Sequence, residues 1–134
     1  LGAVHAMAEL LGGLYDTPHG VANSIFLPHV FEYNIPGKTK KHAMVAIKLG
    51  AKAEGKSVEE VAQEGVVLLH ELARKIGIPK FRDLDNVNPE DFQFLAEGAF
   101  NHLCTITNSR KLSKDDYLKL FQNTYGNKLQ PSFQ

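Results

Sequence analysis

Two histidines near the start of the 134-residue chain, His5 and His19, are the residues best suited to do chemistry. Neutral imidazole is a common ligand for zinc, iron and copper, so the pair suggests part of a metal site. They lie fourteen residues apart in the sequence, a spacing that a helix, a turn and a second helix can fold together. Two imidazoles cannot fill a coordination shell, so further ligands must come from elsewhere.

Spacing alone does not separate metal ligands from ordinary histidines, of which the chain has six in all. Each is therefore interpreted first as a surface residue or a hydrogen-bonded buried residue. His42 and His70, on predicted helices with mixed surroundings, keep that interpretation, and so does His102, near the end of a predicted helix. Glu9 stands four residues after His5, which places both on one helix face.

Helical patterns cover nearly the whole chain and predict an all-α bundle. The first helix is predicted over about Leu1–Leu11, with Gly12-Gly13 breaking it before a turn. The second follows Gly20 and contains Pro28, which should kink or shorten it. The third covers about Lys40–Leu49.

Capping residues mark the later helices. Ser57 with Glu60 forms a capping box, followed by apolar residues at steps of three and four. The fifth helix begins at Asn88, has proline next to it, and is predicted to bury Leu103 among its apolar residues. The sixth is predicted over Ser113–Gly126, with Ser113 and Asp116, three residues on, at its start.

Composition excludes several classes of partner. Lysine plus arginine equals aspartate plus glutamate at 15 each, so no strong field indicates a nucleic-acid or anionic-membrane partner. No apolar run reaches the ~20 residues that span a bilayer. The single cysteine, Cys104, cannot form an internal disulfide and suits a reducing compartment, so we expect a cytoplasmic location.

We expect residues 1–134 to form one helical domain, with a frayed tail over residues 127–134. The chain begins at Leu1 and enters a helical pattern at once. We therefore expect it to be the C-terminal part of a longer polypeptide. The alternative is a complete small protein, although leucine is a poor residue for removal of an initiator methionine.

The stretch HAMAELLGGLYDTPHGVANSIFLPHVFEYN carries a specific pattern around the two histidines. It resembles the metal-binding segment of the iron-containing (group III) alcohol dehydrogenases, in which His-x-Met-x-x-x-x-Gly leads into a loop ending Pro-His-Gly. The resemblance places two of the family's metal ligands on His5 and His19. The other two, an aspartate and a histidine, would lie upstream of Leu1. The matching residues are His5, Met7, Gly12, Pro18-His19-Gly20, Ala22-Asn23 and Leu27-Pro28-His29.

A second stretch, CTITNSR at residues 104–110, is similar to the family's Cys-Thr-x-x-Asn-Pro-Arg segment, with Ser109 where proline is usual. The resemblance implies that Cys104 lies near the nicotinamide end of the cofactor, and it assigns His19 to the cofactor contact as well as to the metal. The alternative for Cys104 is a small apolar filler at a helix end.

The family resemblance implies an enzyme that interconverts a primary alcohol or diol and its aldehyde or ketone. The expected metal is Fe2+, with Zn2+ as the alternative, and the hydride acceptor is NAD or NADP. A metal on the alcohol oxygen eases loss of the hydroxyl proton, and the protein aligns alcohol and nicotinamide. A missing N-terminal α/β domain would bind most of the cofactor. The isolated chain should therefore be inactive, and the full-length enzyme is expected to be a homo-oligomer.

Glu9 departs from the family, since many relatives carry a histidine there that is proposed to relay protons. Glu9 could relay protons or hydrogen-bond a ligand imidazole. We rank a ligand pair formed by His5 and Glu9 below the hydrogen-bonding role. Two alternatives to an iron-dependent alcohol dehydrogenase stay open. One is a zinc-dependent glycerol dehydrogenase or a dehydroquinate synthase of the same architecture. The other is a non-catalytic helical interaction domain, which Glu9 and Ser109 favour.

Overall fold

The computed structural model describes residues 2–126, and this part of the chain contains helices and loops but no β-strand. The all-α prediction is confirmed. The predicted frayed tail, residues 127–134, lies outside the described residues. No helix within residues 2–126 has both the length and the apolar character that crossing a membrane requires. The α-helices are α1 (Gly2–Tyr15), α2 (His19–Asn34), α3 (Thr39–Lys48), α4 (Val58–Lys75), α5 (Phe92–Asn101) and α6 (Lys114–Gly126), with short 3-10 turns at Phe81–Asp83, Pro89–Asp91 and Leu103–Thr105.

An aromatic cluster holds α2 against α5 and α6. The ring of Phe26 meets those of Phe81 and Phe121 edge-on, at centroid distances of 5.3 and 5.5 Å. Phe81 also stacks on Phe92 at 5.5 Å. All four rings are at most 2% exposed, and burying a side chain of this size contributes about 1.5–3 kcal/mol. This core, into which α1 also packs, fixes the helices that carry the candidate site.

A second, smaller apolar cluster lies between α3 and α4 and is built largely from alanine and valine. Its tightest point is Gly65 on α4. A Cβ atom at Gly65 would lie 2.8 Å from the Cβ of Ala46 and 3.2 Å from the ring of Phe31. Glycine therefore allows the two helices to approach closely.

The two helical glycines Gly65 and Gly13 should respond to alanine in opposite directions. Gly65→Ala is expected to lower the free energy of unfolding by about 1–3 kcal/mol, because overpacking against Ala46 outweighs the gain in helix propensity. Gly13 has no neighbouring atom within 4 Å of an added Cβ, so Gly13→Ala should raise stability by up to about 1 kcal/mol. Urea unfolding of both variants tests this. Equal stability of the two would contradict the close packing of α3 on α4.

The predicted caps at Ser57 and Ser113 are confirmed, while Asn88 caps a 3-10 turn and not the fifth helix, which begins at Phe92. The Ser57 hydroxyl accepts from the Glu60 amide at 3.1 Å, and the Glu60 carboxylate accepts from the Ser57 amide at 3.2 Å. The Asn88 side chain accepts from the amide of Glu90 at 3.0 Å, although it starts a 3-10 turn that precedes α5. Ser113 caps α6 through reciprocal bonds with Asp116, at 2.9 and 3.1 Å.

Three local predictions were wrong. Gly12-Gly13 does not break α1, which continues to Tyr15, since the cost of about 1 kcal/mol per glycine is small beside the burial of the rest of the helix. Helix α2 begins at His19, not after Gly20, and runs through Pro28 to Asn34, so the proline does not shorten it, while a kink at Pro28 stays a prediction. Leu103 is 80% exposed, because α5 ends at Asn101 and the next turn carries Leu103 to the surface.

Candidate metal centre

The short loop between α1 and α2 brings His5 and His19 together. Asp16 takes a left-handed backbone conformation (φ 55°), which aspartate tolerates better than most residues. The loop then lies close over the end of α1, where a Cβ on Gly12 would be 3.3 Å from the carbonyl oxygen of Thr17. As a result, the imidazole rings of His5 and His19 lie edge to face, with centroids 5.0 Å apart and planes at 74°.

Glu9 links His5 to a third histidine. One turn after His5 on α1, its Oε1 atom lies 3.1 Å from Nε2 of His5. Its Oε2 atom lies 2.6 Å from Nε2 of His102, which follows α5. The His5 and His102 rings are 6.2 Å apart. Packing of α1 against α5 therefore produces a chain of imidazole, carboxylate and imidazole beside His19.

The hydrogen bonds of His102 define where its ring proton sits. Its Nδ1 atom accepts a hydrogen bond from the backbone amide of Cys104 at 3.1 Å. Because Nδ1 is an acceptor, the proton of the neutral ring lies on Nε2, which donates to Glu9. Cys104 thus contributes to the site through its backbone, by fixing the orientation of His102.

Glu9 is a half-exposed carboxylate, with 48% of its side chain accessible. The hydrogen bond from His102 is the main cause that lowers its pKa below 4.5, and interactions with His102 and His5 act in the same direction. Partial desolvation opposes them. Glu9 is therefore ionised at neutral pH and acts as an acceptor toward both imidazoles.

The segment that carries Cys104 is anchored by Asn108. The side chains of Asn108 and Asn34 exchange two hydrogen bonds, at 3.0 and 2.8 Å. Asn108 also accepts from the amide of Ala3 at 3.2 Å. Because these bonds reach α1 and α2, they hold half-buried Cys104 next to the helices that carry the histidines.

The donors at this site suit a divalent metal only in part. His5 and His19 offer two imidazoles at close range, and both reach solvent, with the His5 side chain 26% exposed and His19 more so. Within residues 2–126, however, no group of three or more histidine, cysteine, aspartate or glutamate side chains is arranged to hold a metal ion. The pair fits as a partial ligand set that needs ligands from other residues.

His102 is the residue of the site that the sequence analysis did not identify. Its position near the end of a predicted helix indicates an ordinary histidine, but its ring contacts Glu9 and lies near His5. No periodic pattern connects residues 93 positions apart. The one available signal is that His102 lies two residues before Cys104, where the second stretch that resembles the family begins.

Comparison with known proteins identifies the family. The profile of the C-terminal part of the Fe-containing alcohol dehydrogenase family matches residues 1–125.

The chain belongs to the iron-containing alcohol dehydrogenase family.

Members of this family with assigned activities align over nearly the whole chain. Lactaldehyde reductase of Escherichia coli strain K12 is 41% identical over 126 residues, which cover 93% of this chain and 33% of the reductase. The 1,3-propanediol dehydrogenase of Klebsiella pneumoniae is 40% identical, with 93% of this chain and 32% of that enzyme covered. The chain thus spans about a third of the length of these relatives.

Solved structures of the family share the fold. A 1,3-propanediol oxidoreductase superimposes with a TM-score of 0.89 at 40% identity, covering 92% of this chain and 32% of that protein. An alcohol dehydrogenase from Oenococcus oeni gives a TM-score of 0.88 at 38% identity, covering 93% and 33%. The helical fold described above is therefore that of the C-terminal part of these dehydrogenases.

Proposed function

We propose that this chain is the metal-binding helical part of a dehydrogenase that interconverts a small primary alcohol or diol and its aldehyde or ketone, with NAD or NADP as hydride carrier. The observation that carries the proposal is the close approach of His5 and His19, at 5.0 Å between rings, in a chain of this family. The activities of the relatives, a lactaldehyde reductase and a 1,3-propanediol dehydrogenase, favour small oxygenated substrates of three carbons.

His5 and His19 are the residues of this chain that would hold the metal, with Fe2+ favoured by the family and Zn2+ as the alternative. When bound, the metal supplies Lewis-acid activation of the substrate oxygen. We assign the remaining ligands, an aspartate and a histidine, to a preceding part of the polypeptide. This division explains why the described residues supply only part of a ligand set.

A nucleotide-binding domain would complete the site. Leu103 and Ile106, which flank Cys104, are 80% and 81% exposed. Large apolar side chains beside a polar site suit a surface covered by another domain. We propose that the domain covers this surface and places the nicotinamide near Cys104 and His19. The isolated chain is then inactive, while homo-oligomer formation and a cytoplasmic location remain predictions from sequence.

Glu9 is proposed to orient His5 rather than to bind the metal itself. Its two carboxylate oxygens are engaged separately, one by His5 and the other by His102. A carboxylate hydrogen-bonded to a ligand imidazole fixes the ring orientation and increases its basicity. The half-exposed position also leaves a route to solvent, so Glu9 is our candidate for a proton relay.

The function is tested by assaying the full-length polypeptide loaded with Fe2+ or with Zn2+. We expect NAD- or NADP-dependent oxidation of 1,2-propanediol or 1,3-propanediol, and reduction of the corresponding aldehydes. The metal-free protein should have little activity, which returns on reloading. Equal rates with and without metal, or no turnover of any small alcohol by the loaded protein, would contradict the proposal.

Glu9→Gln tests the positioning role, because it keeps the shape of the side chain and removes its charge. We expect metal affinity to fall by about 10–100-fold, as for other partners of metal-bound histidines. Competition with a chelator measures this. Glu97→Gln, an exposed glutamate on α5, is the matched control. If the two variants have the same metal affinity and the same pH–rate profile, Glu9 has no role in the centre.

A further inference from the structure

A second pair of histidines, buried His29 on α2 and half-buried His70 on α4, has nitrogens without hydrogen-bond partners. Their rings are perpendicular, with centroids 4.9 Å apart. His29 is only 3% exposed. Nδ1 of His29 and Nε2 of His70 are both buried and have no hydrogen-bond partner in the structure. Buried polar atoms are almost always paired, so these two unpaired nitrogens on adjacent rings mark a place for a bound partner, either water or a ligand.

A cavity of about 110 Å³ adjoins both rings. It lies between α2, α4 and the segment that leads to the turn at Phe81–Asp83. A water molecule occupies about 30 Å³ in the liquid, so the cavity has room for a group of several non-hydrogen atoms. Its polar lining is formed by His29, His70, Arg74, Lys80, Ser24 and Thr124.

The positive charge of the cavity lining favours a negatively charged ligand. Arg74 and Lys80 are both cationic, and no carboxylate of the described residues lines the cavity. A metal cation would be repelled by this pair, whereas an anion would be attracted. The two hydroxyl protons are already in use. Ser24 donates to the carbonyl of Gly20 at 2.8 Å, and Thr124 donates to that of Leu120 at 2.6 Å. The cationic side chains and the imidazoles are therefore the groups that remain to bind an anion.

We propose that this cavity binds a tetrahedral oxyanion, with inorganic phosphate as its simplest form. Arg74 and Lys80 supply positive charge, and the imidazole N–H groups of His29 and His70 donate to the anion's oxygens. Charge-assisted hydrogen bonds of this kind are the strong ones in proteins. The proposal uses none of the residues of the metal centre, so it stands or fails independently of the dehydrogenase function.

Phosphate titration monitored by nitrogen NMR of the imidazoles tests the proposal directly. In phosphate-free buffer, added inorganic phosphate should shift the signals of His29 and His70 along a saturable curve. Arg74→Gln and Lys80→Gln should each raise the dissociation constant by about tenfold. The matched control is Lys75→Gln, which removes a neighbouring charge on α4 that does not line the cavity. The backbone amide spectrum of each of the three variants checks that the variant is folded.

Three results would overturn the proposal. The first is the absence of saturable shifts at His29 and His70. The second is an equal loss of affinity in Lys75→Gln, which would show nonspecific attraction. The third is saturable shifts with Zn2+ but not with phosphate, which would indicate a cation site. Glycerol phosphate, titrated in parallel, distinguishes a site for the free ion from one that accepts the end of a phosphate ester, and binding of either supports the proposed chemistry.

Discussion

Replacing His19 with alanine is expected to remove the bound metal and abolish dehydrogenase turnover of the full-length protein. Loss of a partner outside the coordination shell already costs about 10–100-fold in metal affinity. Loss of a ligand should cost more than about 100-fold, which leaves the centre empty at micromolar metal. His5→Ala should have the same effect, and it also frees Glu9 from one of its two imidazole contacts.

His42→Ala is the matched control for these two variants. His42 lies on α3, where its ring packs on Phe31 at 4.6 Å and its Nδ1 atom lies 2.9 Å from the carbonyl oxygen of Lys38. It is also a histidine on a helix, but it does not contact the site. We expect it to retain full metal content and rate. Full metal content in His19→Ala would contradict the ligand assignment, while a reduced content in all three variants would indicate a general loss of structure.

Acidification is expected to destabilise the fold through His29. Burial is the main cause that lowers the pKa of His29 from 6.5 to about 3, and the neighbouring His70 lowers it further. Burial also lowers the pKa of His70. In the folded state both rings therefore stay neutral at pH values where the unfolded chain binds protons.

The direction and size of the effect follow from proton linkage. Between pH 6.5 and about 3, the unfolded state binds a proton at residue 29 that the folded state does not. The contribution of neutral His29 to the free energy of unfolding is therefore complete above pH 6.5, and it is lost progressively as the pH falls to about 3. The lowering of the pKa by 6.5 − 3 = 3.5 corresponds, at 1.36 kcal/mol for each pKa unit, to about 5 kcal/mol at the acid limit. That is comparable with the whole stability of many small domains.

Urea unfolding at pH 7 and pH 4.5 in phosphate-free buffer measures this dependence. The wild type should lose about 2–3 kcal/mol between the two values, taking 6.5 − 4.5 = 2 pH units at 1.36 kcal/mol each. His29→Gln removes the titrating ring and should flatten the dependence of stability on pH, while lost packing lowers its stability at pH 7. A slope as steep as that of the wild type would show that the acid sensitivity arises elsewhere.

Much of the fold was predictable because its signals are local. The capping boxes at Ser57 and Ser113 depend on contacts within four residues, and both form as the sequence indicates. Gly12-Gly13 was misread because the breaking effect of glycine is also local, whereas the continuation of α1 depends on packing against α2 and α5. Leu103 was misplaced for a related reason, since its exposure depends on where α5 stops.

The site could be predicted only where neighbouring residues define it. His5 and His19 share one helix–loop–helix unit and a recognisable flanking pattern, so the sequence was sufficient to pair them. His102 reaches Glu9 through the packing of α1 on α5, which no spacing rule contains. The pairing of His29 with His70 likewise depends on how α2 packs against α4.

The most direct test of the metal centre is a crystal structure of the metal-loaded full-length protein, with the metal located by its anomalous scattering. We predict a single ion about 2.0–2.2 Å from a ring nitrogen of His5 and of His19, with its other ligands from residues that precede this chain and with Glu9 outside the coordination shell. An ion bound elsewhere, or bound without either histidine, would contradict the assignment of His5 and His19 as ligands.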